Sequence, residues 1–135
     1  MSKSLIYTAN TSVQVLAVDS NINPGTVIRR FGPNLNLSGN AIQIAGAGYY
    51  DIDASFTVAP TAAGEVTVTA YLNNVAIPGA SATATVAAAG DYVTLPITAV
   101  FREPCQCCEG LSNLTFVLTG TAANVTNSAI VIEKK

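Results

Sequence analysis

Residues 49–58 read Tyr49-Tyr50-Asp51-Ile52-Asp53-Ala54-Ser55-Phe56-Thr57-Val58. Every second residue from Tyr50 to Val58 is apolar, and the residues between them are mostly polar. This period of two marks a half-buried β-strand. The apolar face needs a partner layer, and the alternate face sets two carboxylates side by side.

The same period recurs outward from this stretch. Val66, Val68, Ala70 and Leu72 alternate with Glu65, Thr67, Thr69 and Tyr71. Val93, Leu95, Ile97, Ala99 and Phe101 alternate with Tyr92, Thr94, Pro96, Thr98 and Val100. Pro96 cannot donate to a ladder, which predicts an edge strand or a bulge there. Shorter patterns involve Val13, Val15 and Ala17, the run Thr26–Phe31, Ile42 with Ile44, Ala82 to Val86, Leu114 to Leu118, and Ala129 to Glu133. Turn signals separate them at Asn23-Pro24-Gly25, Gly32-Pro33-Asn34, Gly46-Ala47-Gly48, Pro60–Gly64, Asn73-Asn74 and Gly90-Asp91. Asn tolerates positive φ, so Asn73-Asn74 predicts a tight hairpin. No stretch shows a helical period, and the β-branched Thr83, Thr85 and Val86 oppose a helix in the Ala-rich segment. About eight to ten short strands at this spacing predict an all-β sandwich or barrel, with the apolar face packed on a second sheet roughly 10 Å away.

At 135 residues the chain is long enough for one domain with a real core. Half of its residues are hydrophobic, yet only 10% are charged, against about 25% in an ordinary globular chain. Either Thr, Ser, Asn and Gln cover the surface, or part of the surface is hidden in an assembly. The apolar runs are too short for a membrane-spanning helix. The N-terminus lacks the apolar region of a signal peptide. Between Arg30 and Arg102 there is no Lys or Arg, so no basic stripe serves nucleic acid. Four N-x-[ST] sequons, at Asn10, Asn36, Asn113 and Asn124, are expected by chance in a chain rich in Asn and Thr.

Chemistry-bearing residues are few. Asp51 and Asp53 share one strand face with Cα atoms about 6.5–7 Å apart. Solvated carboxylates that discourage sheet aggregation, a calcium site and a glycosidase pair are the three readings. Calcium needs more oxygen ligands, and a glycosidase pair normally spans a cleft. Cys105, Cys107 and Cys108 form C-x-C-C in a Pro- and Gly-bounded loop. They read as loop thiols, as disulfide partners, or as a zinc site completed by three copies on an axis. They are expected to be dispensable for assembly. The chain has no His, which removes Ser–His and Cys–His catalysis and leaves no enzyme constellation. Tyr49, Tyr71 and Tyr92 fall opposite their strands' apolar sets. They suit a wet sheet surface, a subunit interface, or sugar stacking.

The succession GAGYYDIDASFTV (46–58), EVTVTAYLNNVAIPGA (65–80), LTFVLTG (114–120) and SAIVIEKK (128–135) resembles the C-terminal domains of collagen-like exosporium glycoproteins. These belong to the complement/tumour-necrosis-factor-like (TNF-like) jelly-roll group, and small phage structural proteins share this look. The resemblance spans residues 37–135. It implies a ten-strand jelly roll, a compact homotrimer, a display or structural role and no catalysis. Unlike those glycoproteins, the chain has no Gly-X-Y tract. Residues 1–36 form a strand-like segment within one compact domain overall. They are expected either to add a strand to the jelly roll or to act as a docking arm, with Lys3, Arg29 and Arg30 facing an acidic surface. Removal of residues 1–11 is expected to spare the trimer and lose attachment. The expected setting is a virion, as a capsid-decoration or head-fibre protein assembled in the host cytoplasm. Alternatives are a spore surface or a receptor- or glycan-binding head.

Overall fold

A computed structural model describes residues 4–32, 34–45, 48–103 and 111–134. These form twelve strand segments: β1 Leu5–Asn10, β2 Gln14–Leu16, β3 Ser20–Asn21, β4 Thr26–Phe31, β5 Leu35–Ser38, β6 Ala41–Ala45, β7 Gly48–Pro60, β8 Gly64–Leu72, β9 Val75–Val86, β10 Val93–Glu103, β11 Leu111–Thr119 and β12 Ala123–Lys134. Every pairing is antiparallel. The front sheet runs β10-β7-β12-β1-β4, with β2 also on β12. The back sheet runs β5-β6-β11-β8-β9, with β3 also on β11. β1 and β2 lie along one side of β12 in nearly continuous register, interrupted at 11–13. Counting them as one strand, and β3 as a two-residue bridge, leaves ten strands.

Residues 49–58 form most of β7, which lies inside the front sheet between β10 and β12. Tyr50, Ile52, Ala54, Phe56 and Val58 are all buried. Phe56 meets Phe116 of β11 with ring centroids 5.2 Å apart, so the two sheets are joined through these rings. Tyr50 stacks on Phe101 at 5.6 Å near the other end of the strand. Val66, Val68, Ala70, Leu114, Phe116 and Leu118 supply the back sheet's half of the core. Asn73 and Asn74 take φ of 52° and 67°, the left-handed pair that closes a two-residue hairpin between Leu72 and Val75. Among the described residues β10 pairs with β7 alone, so Pro96 stands on an edge strand, the place in a sheet where proline is tolerated.

The N-terminal region departs from the expected register. Val13 and Val15 are 60% and 80% exposed, and the inward positions belong to Leu16 and Gln14. Gln14 is held there by the chain it clamps: its Nε2 donates to Asn23 O at 2.9 Å, and Asn23 N donates to its Oε1 at 2.8 Å. A polar residue thus takes an inward-leaning place because it satisfies two backbone groups of a loop. β1, which the alternation of 13–17 does not announce, sits between β12 and β4 with Ile6 and Thr8 fully buried.

Gly25 opens β4. Its φ is +93°, and a Cβ there would lie 2.6 Å from Asn10 Cβ and would also strike the Ala9 carbonyl oxygen. The chain passes so close to the end of β1 that only glycine fits. The turns predicted at Gly32-Pro33-Asn34 and Gly46-Ala47-Gly48 include Pro33, Gly46 and Ala47, which lie outside the described residues.

Candidate interaction surface

The outer faces of the two sheets differ in chemistry. The back sheet turns out Thr67, Thr69, Thr83, Thr85, Thr115 and Thr119, with Ser81 and Gln43 among them. Thr67 and Thr83 hydroxyls meet across strands at 2.8 Å. This is the water-facing side expected of an antiparallel sheet.

The front sheet turns out apolar residues at its centre. Ile6 and Thr8 point inward, which sends Leu5, Tyr7 and Ala9 outward. Ile130 and Ile132 point inward, which sends Ala129 and Val131 outward. The register places Tyr7 beside Val131, and Ala9 beside Ala129. Phe31 of β4 lies beside Leu5 and is 51% exposed. These residues were not singled out by the sequence reading. Their signal was the unbroken apolar run Ala129-Ile130-Val131-Ile132, which lacks the alternation of a strand with one wet face.

The predicted carboxylates border this apolar centre. Asp51 is half-buried and stands opposite Glu133 of β12 and Val100 of β10. Asp53 is exposed and stands opposite Val131 and Thr98. Glu133 therefore joins the pair as a third carboxylate. Like charges directly across strands are unfavourable unless something else compensates them. Among the described residues, no group of three or more Asp, Glu, Cys or His is gathered closely enough to hold a metal ion. Cys105, Cys107 and Cys108 lie outside the described residues, as does Lys3.

The three predicted tyrosines are not brought together. Tyr49 is 55% exposed on the outer face of the front sheet, opposite Arg102. Tyr71 is half-buried on the outer face of the back sheet, opposite Thr115. Tyr92 is 69% exposed just before β10. Arg29 and Arg30 are both exposed on β4 but point to opposite sides. Arg29 sits beside Tyr7 on the outer face, while Arg30 leans toward the back sheet and its Nε donates to Leu35 O at 2.6 Å.

A groove of about 410 Å³ runs where the β8–β9 hairpin meets β10. Its walls include Leu72, Val75, Ile77, Pro78, Val100 and Arg102. Val75 and Val100 are 68% and 52% exposed. No helix among the described residues is long and apolar enough to cross a membrane.

The fold matches solved structures along nearly the whole chain. Murine APRIL at pH 5.0 superposes with a TM-score of 0.77 at 10% identity, covering 99% of this chain and 100% of that one. Eiger TNF from S. frugiperda gives 0.71 at 10% identity, covering 98% and 91%. This chain folds as a TNF-like jelly roll. The vertex protein P5 of PRD1 gives 0.64 at 16% identity, covering 98% of this chain and 96% of that one. No family model matches the sequence, and no curated protein does. The TNF-like architecture is thus carried by the pattern of burial and pairing at very low identity.

Proposed function

We propose that this TNF-like chain is a non-enzymatic, homotrimeric structural protein on a particle surface, a bacteriophage virion component of the capsid-decoration or head-fibre kind. The observation that carries the trimer is the apolar outer face of the front sheet. Among the described residues, an outward set of Leu5, Tyr7, Ala9, Ala129 and Val131 has no covering layer, whereas the back sheet is already clothed in hydroxyls.

A threefold ring joins two different patches of each subunit. The front face is one. The groove between the β8–β9 hairpin and β10, with exposed Val75 and Val100, has the complementary apolar character for the other. Tyr49 lies at the border of the front face and Tyr92 beside the groove strand, so both suit an interface rim where an apolar ring keeps a wet hydroxyl. An obligate interface of this kind buries about 2,000 Å² or more. The virion setting draws support from the likeness to a phage vertex protein over nearly the full chain.

Light scattering on the purified chain tests the reading. The expected mass at micromolar concentration is three times the 13.8 kDa of one chain. A monomer at that concentration overturns it.

A further inference from the structure

The main path of each sheet ends in two edge strands, and three of these four edges are spoiled for further pairing, while the off-path β2 and β3 are only three and two residues long. β10 carries Pro96, β9 carries Pro78 followed by Gly79, and β5 is only four residues long. Prolines and short edges are common ways to stop a sheet from growing. β4, the remaining edge, has no proline in Thr26–Phe31 and pairs only with β1. Among the described residues, the backbone groups on its other side have no strand to bond. All six of its side chains are exposed, and Val27, Ile28 and Phe31 are 40%, 53% and 51% exposed. A bulge opposite Tyr7 and Thr8 leaves Ile28 unmatched, which bends the strand without removing its open side.

We propose that the free edge of β4 receives an extended acidic segment of a partner protein as an added strand. It gives the particle-surface reading its attachment point, and rests on that reading only for where the partner comes from. Main-chain bonds to the open edge supply the affinity of such an added strand, and side chains select it. On β4 the selection is by charge. Arg29 and Arg30 are two of the six cations of the chain, and Arg29 has no ion-pair partner among the described residues. Each face of β4 presents one guanidinium and one apolar group: Arg29 with Phe31 outward, Arg30 with Val27 on the other side. The fitting strand therefore mixes carboxylates and apolar side chains on both of its faces. A second copy of β4 fits poorly, because pairing it with itself crowds four guanidinium groups into one short ribbon.

The test adds a capped peptide of repeating Glu-Glu-Val-Val to the full chain and reads amide hydrogen exchange. The expected result is new protection confined to Thr26–Phe31 and its flanks. A Lys-Lys-Val-Val counterpart should bind at least roughly tenfold more weakly; Arg29→Glu should shrink that difference, and Arg29→Glu combined with Arg30→Glu should reverse it. Equal binding of the two peptides, protection elsewhere, or a preference unmoved by Arg29→Glu overturns the proposal. So does β4 protection in the free protein that grows with its concentration, which would mean self-pairing. Light scattering on the same samples reports the oligomer separately, so a failed trimer leaves the exchange result readable, and the reverse holds too.

Discussion

Thr8 and Ser128 place two hydroxyls on the inner side of the front sheet, both in fully buried residues. Among the described residues, neither Thr8 Oγ1 nor Ser128 Oγ reaches a hydrogen-bond partner. A buried hydroxyl without a partner carries a desolvation cost and returns nothing. Thr8→Val keeps the shape and removes that cost, so thermal or urea unfolding should show a gain of about 1 kcal/mol. A loss of similar size would mean that the hydroxyl has a partner after all. Phe56 illustrates the opposite case. Its ring is fully buried against Phe116, and Phe56→Ala should cost about 3–5 kcal/mol. Thr57→Ala, one residue along and half-buried on the outer side, should stay within about 1 kcal/mol. If the two variants melt alike, the inward assignment of this strand is wrong.

Among the elements, β4 depends on a single backbone conformation. Gly25→Ala combines a disfavoured φ with a collision against the end of β1. The expected outcome is a lower melting temperature, by about 2 kcal/mol or more of lost stability, with hydrogen-exchange protection lost first along β1 and β4. An unchanged melting curve would show that this close approach is not fixed. β1 itself changes the meaning of a truncation. Removing residues 1–11 takes away an interior strand and its buried Ile6, so the expectation that the trimer survives this deletion gives way to loss of the fold. The strands legible in the sequence were those long enough to repeat the period, β7, β8, β10 and the β8–β9 hairpin with its Asn73-Asn74 turn. β1 was not legible because LIYTAN joins β12 more than a hundred residues away, and six residues cannot announce a partner that distant. At 13–17 the apolar alternation pointed the wrong way, since Gln14 is drawn inward by the backbone of Asn23. The site was legible in part. The Asp51–Asp53 face was placed correctly on β7, but its third carboxylate, Glu133, and the apolar centre beside it come from β12 and β1.

At the scale of the whole molecule, the two outer faces make opposite demands on solvent, and this asymmetry decides which one an assembly covers. Ala129 lies on the front face between Ala9 and Ser55, where neither neighbour is charged and a long side chain can extend outward from a single subunit. Thr83 holds the corresponding exposed place on the back face, opposite Thr67. Ala129→Arg leaves the core of each subunit intact but puts an unpaired charge where the proposed trimer closes. The cost is about 3–5 kcal/mol per interface, roughly a hundredfold or more in association. Thr83→Arg adds the same charge to a wet surface and forfeits only the Thr67 hydroxyl contact. Light scattering over a dilution series should therefore show Ala129→Arg dissociating to folded monomers, with the β-sheet circular dichroism spectrum kept, while Thr83→Arg remains trimeric. Two variants that both stay trimeric would move the interface off the front sheet. Dissociation by Thr83→Arg alone would assign assembly to the threonine face and overturn the burial argument.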